Sequence, residues 1–167
     1  MNKDKEAVLA EFERLVMERQ DWLFRFAYMR VGRREEAEDI VQEALLMVFR
    51  RMRQGGAVSR MEPYLLRSIS NACHDYFRQG RPATVPLEGV EQLAAEGQDA
   101  TMHEEYVRIN RLLGCLPPEQ AEIVRLRCYD ELKFGEIAEL QNVSESTVKS
   151  RYRYAIERLQ KIVRKGE

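Results

Sequence analysis

Two short stretches of this chain bring together side chains with chemistry to do. The first is VSESTVKSRYRYAIERL, residues 143–159, where Lys149, Arg151 and Arg153 stand among Ser146, Thr147 and Ser150. Long cations interleaved with short hydroxyls suit phosphate oxygens and the edges of bases. The second is Cys73-His74-Asp75, which places a thiol, an imidazole and a carboxylate in succession. On a helix, adjacent side chains point about 100° apart, so these three do not converge on one substrate or one metal. No Glu-x-x-His pair and no phosphate-binding glycine loop accompanies them. The sequence therefore predicts a nucleic-acid binder rather than an enzyme, with no cofactor and no metal.

The distribution of charge supports that choice. The 167 residues carry a formal net charge of −1. Residues 146–167 carry +5, whereas residues 103–145 carry −4 and residues 81–102 carry −3. A near-neutral total thus conceals a basic end of the kind that meets a phosphate backbone. Composition is 44% hydrophobic and 33% charged, which fits a folded, helix-rich chain. No apolar run approaches the ~18–20 residues that span a bilayer. The opening MNKDKEAVLAEFERL lacks a signal-peptide pattern, so a cytoplasmic protein is expected. The three cysteines lie at long spacings without a CxxC pair, and reduced, mostly packed thiols are expected.

These residues must be positioned by helices, because the apolar pattern is helical nearly throughout. Residues 7–19 place Val8, Phe12, Leu15 and Val16 on one side, and residues 21–31 carry Trp22, Phe26 and Met29. In REEAEDIVQEALLMVFRRM, apolar residues recur at Ala37, Ile40, Val41, Ala44, Leu45, Val48, Phe49 and Met52. The opposite face shows Glu36, Asp39, Gln42 and Glu43, then Arg50 and Arg51, an order that complements the helix dipole. Residues 53–63, with Gly55, Gly56 and Pro63, read as a loop. YLLRSISNACHDYFRQ follows as a helix with Leu65, Ile69, Ala72 and Tyr76 as its buried stripe, ended by Gly80 and Pro82. Residues 81–102 are rich in proline, glycine and small polar groups and read as a linker. The expected architecture is all-α. Two small helical domains, residues 1–80 and 103–167, flank the flexible linker at 81–102.

The second domain ends in the parts of a helix-turn-helix. KFGEIAEL buries Phe134, Ile137 and Ala138. Asn142 can supply the left-handed residue of the turn, and Val143 fills the angle between the helices. Ser144 is a suitable N-cap for the next helix. With Val148 facing the core, Tyr152, Ala155 and Leu159 share its side, and Ser146, Lys149, Ser150 and Arg153 project away. A recognition helix needs that arrangement, because its N-terminal part enters the major groove.

Three motifs in this order carry a resemblance to a known family. LPPEQAEIVRLRCYDELKFGEIAELQNVSESTVKSRYRYAIERL resembles region 4 of bacterial sigma factors. EEAEDIVQEALLMVFRRM resembles their region 2 helix that docks on core RNA polymerase, and YLLRSISNACHDYFRQGRP resembles the segment that reads and opens the promoter minus-10 element. Order, spacing and length match the extracytoplasmic-function (ECF) group, which keeps only regions 2 and 4.

The resemblance implies a set of roles. Ser146, Thr147, Lys149, Ser150, Arg151 and Arg153 would bind the minus-35 element. Tyr64, Arg67, Asn71 and Arg78 would bind the minus-10 element, with Asn71 near the pocket for a flipped base and residues 55–63 forming that pocket. Asp39, Gln42 and Glu43 would meet core RNA polymerase. The implied partners are the polymerase, through its beta-prime clamp helices and beta flap, promoter DNA, and an anti-sigma factor. Glu88, Glu91, Glu96 and Asp99 of the linker would either mimic RNA phosphates in the polymerase RNA path or simply keep a tether soluble.

The sequence departs from the family pattern in places. Tyr64 stands where tryptophan is usual, and Met61 where the loop usually has an aromatic. Lys133 occupies a usual hydroxyl cap position, and Gly135 sits in the following turn, a weak helix start that Asp130 could help. A stand-alone helix-turn-helix regulator with an N-terminal interaction domain is the competing reading. The melting-like segment at residues 64–82 argues against it.

Overall fold

The computed structural model describes residues 2–55, 61–79 and 98–166. All regular structure among them is helical. The chain divides into two compact units, Met1–Glu96 and Gly97–Glu167.

Among the described residues, the first unit comprises three helices. Helix α1 runs from Asn2–Val31 as one continuous element, so the two helical stretches read in the sequence are a single helix. Its apolar residues from Val8 to Met29 stay in helical register, and no proline or glycine interrupts them. Gly32 ends it with φ 73°, the left-handed position that glycine occupies without a Cβ penalty, and its N–H bonds the Tyr28 carbonyl at 2.8 Å. Helix α2 spans Arg34–Arg53 and buries Ala37, Ile40, Val41, Ala44, Val48 and Met52, while Leu45 and Phe49 are half-buried. Helix α3 spans Met61–Arg78. Helices α1, α2 and α3 each pack on the other two, and Leu23, Phe26, Met29, Met52, Leu65 and Ile69 are their largest fully buried side chains.

The expected loop at residues 53–63 is shorter than read. Pro63 lies inside the first turn of α3, where a helix leaves its N–H groups without intrahelical acceptors and proline costs nothing. Residues 56–60 and the helix-ending residues Gly80 and Pro82 lie outside the described residues. The buried stripe of α3 uses Cys73 where Ala72 was expected; Ala72 is half-buried.

In the second unit, helix α4 begins at Gln98 and runs to Leu113. Asp99 therefore belongs to its first turn rather than to the linker; Glu88, Glu91 and Glu96 lie outside the described residues. Pro118 opens helix α5 (Pro118–Val124) from the N1 position with Pro117 at the cap, as the LPPEQ motif predicts. A π-helical turn, Arg125–Tyr129, continues it, closed by the Asp130 N–H on the Arg125 carbonyl at 2.9 Å. Leu113, Leu116, Ala121, Val124 and Ala155 form a core cluster, joined by Ile109, Ile156 and Leu159. A polar bridge fastens α4 to α5. Arg125 donates to Asn110 Oδ1 and to Glu122 Oε2, each at 2.7 Å, and Asn110 donates to the Tyr106 carbonyl.

Two of the three thiols depart from the expectation of packed cysteines. Cys73 is buried, but Cys115 in the turn after α4 and Cys128 in the π turn are exposed.

Candidate nucleic-acid interface

Helices α6 (Phe134–Gln141) and α7 (Glu145–Gly166) build the helix-turn-helix. Asn142 adopts φ 55°, ψ 47°, the left-handed conformation its sequence position predicts. The N–H of Val143 reaches back to the Ala138 carbonyl at 3.1 Å and that of Asn142 to Glu139 at 3.3 Å, so the last carbonyls of α6 are satisfied. Ser144 Oγ accepts the Thr147 N–H at 3.1 Å and caps α7. The start of α6 is held by Glu136, whose Oε1 accepts the Lys133 N–H at 3.1 Å. A reach-back carboxylate thus serves where a hydroxyl cap is missing.

Val148 and Ala155 are fully buried on the inner face of α7, with Tyr152 and Leu159 half-buried beside them. The Tyr152 ring meets Phe134 edge-on at 5.4 Å, which joins the two helices of the motif. Its hydroxyl lies 3.7 Å from Cys128 Sγ. The hydrogen bond with Cys128 and then burial push the Tyr152 phenol above its ordinary value of 10.0.

The outer face separates the six predicted minus-35 residues. Ser146, Lys149, Ser150 and Arg153 are exposed together. Lys149 makes an exposed pair with Glu145 at 3.4 Å, and the Arg153 guanidinium lies 5.3 Å from the Tyr154 ring centroid. Such an exposed pair is worth about 0.3–0.5 kcal/mol, so a phosphate can displace it. Thr147 and Arg151 are half-buried at the edge of that face, and Thr147 Oγ1 is engaged with Ser144 Oγ at 2.8 Å.

In the first unit an open groove of about 610 Å³ runs between α2 and α3. Tyr64, Arg67 and Asn71 line it from α3, and Glu43 and Met47 line it from α2. Three of the four predicted minus-10 residues thus share one surface. The fourth, Arg78, is exposed near the end of α3 and pairs with Asp75 at 2.8 Å. The predicted polymerase-facing trio divides: Asp39, Gln42 and Glu43 are all exposed, but of them Glu43 lines the groove with the α3 residues. Sequence reasoning treated Arg51 as a dipole-complementing charge. The structure sets its guanidinium 4.3 Å from the Tyr64 ring centroid, a meeting of residues 13 positions apart that no periodicity announces. In the Cys73-His74-Asp75 stretch the thiol is buried while the other two side chains are exposed, so they do not converge.

A groove lined by aromatic, amide, guanidinium and carboxylate groups thus lies on one helical unit, and a capped helix-turn-helix on the other. Comparison with known proteins gives the family. The model of Sigma-70 region 2 matches residues 15–82, and that of Sigma-70, region 4 matches residues 106–159. The RNA polymerase sigma-E factor of Streptomyces avermitilis is 32% identical over 151 residues, covering 89% of this chain and 83% of that protein. ECF RNA polymerase sigma factor SigW of Bacillus subtilis is 28% identical over 158 residues, covering 87% and 84%. The chain belongs to the ECF sigma factors, a group of transcription initiation factors.

Solved structures share the fold. CnrH, in complex with the cytosolic domain of CnrY, superposes with a TM-score of 0.70 at 18% identity, covering 93% of this chain and 89% of that one. The sigma factor RpoE of Bartonella quintana, in complex with the anti-sigma factor NepR, gives 0.55 at 18% identity, covering 98% of each.

Proposed function

We propose that this chain binds core RNA polymerase, directs it to a set of promoters and assists their opening, without making or breaking a bond itself. The observation that carries this reading is the presence of both sigma regions, in order, on the two helical units of one chain. A free-standing regulator would need only the second.

Residues 1–80 engage core polymerase and the minus-10 element, and residues 103–167 engage the minus-35 element. On α7, Ser146, Lys149, Ser150 and Arg153 supply the groove contacts; Thr147 and Arg151 stand at their edge. Across the α2–α3 groove, Tyr64, Arg67 and Asn71 receive the opened strand, with Asn71 offering amide hydrogen bonds to an unstacked base. Arg78 must exchange Asp75 for a phosphate to take part. Asp39 and Gln42, exposed on α2 away from that groove, meet the beta-prime clamp helices, with Glu43 at the margin; region 4 meets the beta flap.

Among the described residues no helix is long and apolar enough to cross a membrane, which accords with work in the cytoplasm beside the polymerase. An anti-sigma factor is a further partner, since the RpoE neighbour was solved with one.

Mutation separates the two surfaces. Lys149→Ala and Arg153→Ala should weaken binding of the holoenzyme to a cognate promoter while core assembly, followed by native gel or fluorescence anisotropy, stays intact. Promoter occupancy unchanged in both variants would remove these side chains from the minus-35 surface.

A further inference from the structure

Arg51 occupies the last turn of α2 and is exposed. Its guanidinium carbon sits 4.3 Å from the centroid of the half-buried Tyr64 ring in the first turn of α3. Glu43, Met47 and Arg51 follow at four-residue steps and so share one stripe of α2. Glu43 and Met47 line the groove with Tyr64, Arg67 and Asn71, which places Arg51 at the groove's end.

Among the described residues Arg51 has no carboxylate at ion-pair distance, whereas Arg78 is held by Asp75. Arg51 therefore presents a cation held over a ring and, among the described residues, not neutralised by an acid. Of the arginines in this unit, the family resemblance implies a minus-10 contact only for Arg67 and Arg78.

We propose that Arg51, held over the Tyr64 ring, contacts a backbone phosphate of the opened promoter strand where that strand enters the α2–α3 groove. Surfaces that hold single-stranded nucleic acid pair aromatic platforms with cations, and arginine serves both parts. A guanidinium is flat, and one held over a ring can still turn an N–H edge to make two parallel bonds to phosphate oxygens. Because the ring already orients it, less side-chain freedom is lost on binding. The residue that replaces the family's usual tryptophan thereby gains a purpose: Tyr64 holds the cation in place. This inference rests on the reading that the Tyr64–Asn71 face meets the opened strand.

The test uses holoenzyme reconstituted from the full chain, on a promoter mapped with the wild-type protein. The probe is a fork-junction DNA of that promoter, duplex upstream and single-stranded across the minus-10 element. Affinity is measured by anisotropy over a range of salt. Arg51→Ala should bind about tenfold more weakly, the loss of a hydrogen bond to a charged group. Its slope of log affinity against log salt should fall by about 0.7, the signature of one lost single-strand phosphate contact.

Arg51→Lys should keep the slope but recover only part of the affinity. Arg53→Ala, whose guanidinium lies 5.8 Å from the Phe49 ring centroid instead, should leave the slope unchanged. An Arg51→Ala slope equal to wild type overturns the proposal, as does an equal loss in Arg53→Ala or an equal loss on a duplex minus-35 probe. A wild-type holoenzyme that does not prefer the fork junction to full duplex would defeat the underlying reading of this face, and the proposal with it. Wild-type preference with an unaltered Arg51→Ala defeats the proposal alone.

Discussion

Replacing Gly135 by alanine should stabilise the second unit, and the structure supplies the sign. Gly135 is the second residue of α6, and its φ is not among the positive ones. A Cβ built there meets only Glu145 Oε2, at 3.8 Å, an ordinary van der Waals contact. The Glu145–Lys149 pair uses the other oxygen, Oε1, so it survives the substitution. With neither strain nor clash, the gain is the conformational entropy that glycine gives the unfolded chain, about 0.4–1 kcal/mol. For a unit of the size of Gly97–Glu167, that raises the melting temperature by about 2–8 °C.

Gly114→Ala is the contrasting case. Its Cβ would lie 3.1 Å from the Asn110 backbone oxygen, which is fixed by the Gly114 N–H at 2.9 Å. The same entropic gain is available there, but the contact cancels it, and no rise is expected. Calorimetry of the full chain reads both, with hydrogen exchange assigning the transition to the second unit. A lowered melting temperature for Gly135→Ala, or an equal rise for both variants, would refute the reasoning.

Ser144→Ala removes the cap of α7 and should cost about 1 kcal/mol, read as a lower urea midpoint; Ser144→Asp should restore most of it. Asp39→Arg should impair assembly with core polymerase while a minus-35 duplex still competes normally for the holoenzyme that forms; normal assembly would remove Asp39 from the docking surface. The raised Tyr152 phenol favours the protonated form in the folded state, so its contribution is intact below pH 10.0 and is lost as pH rises through the higher folded value. Tyr152→Phe should therefore lose less stability than wild type between neutral pH and the alkaline range. Equal alkaline losses would show that the hydroxyl carries none of the effect.

The helix-turn-helix was the most legible part of the sequence, because its geometry is set by single residues with local duties. Asn142 tolerates the left-handed turn, Ser144 caps, and Val148 and Ala155 fix which face is inward. The α2 stripe was legible for the same reason, since its period needs no knowledge of a partner. Features set by packing between helices were not. Whether Glu43 faces the α2–α3 groove, and whether Arg51 reaches Tyr64, depends on how α2 and α3 lie together. The π turn was hidden because EQAEIVRLRCY has an ordinary helical pattern, and the extra residue accommodated there appears only in the Asp130–Arg125 bond. The exposure of Cys115 and Cys128 follows from their place in turns, where a thiol's apolar character does not decide burial. The cap of α6 could have been found: Glu136 stands three residues after Lys133, the spacing of a reach-back carboxylate.

The central claim is that this chain gives core RNA polymerase its promoters. The direct measurement is in-vitro transcription with purified core polymerase on fragmented genomic DNA, with and without the full chain. New, discrete start sites that require the chain are expected, with shared sequences upstream at minus-10 and minus-35. No new starts, together with specific duplex binding by the chain alone, would contradict it and leave a free-standing regulator.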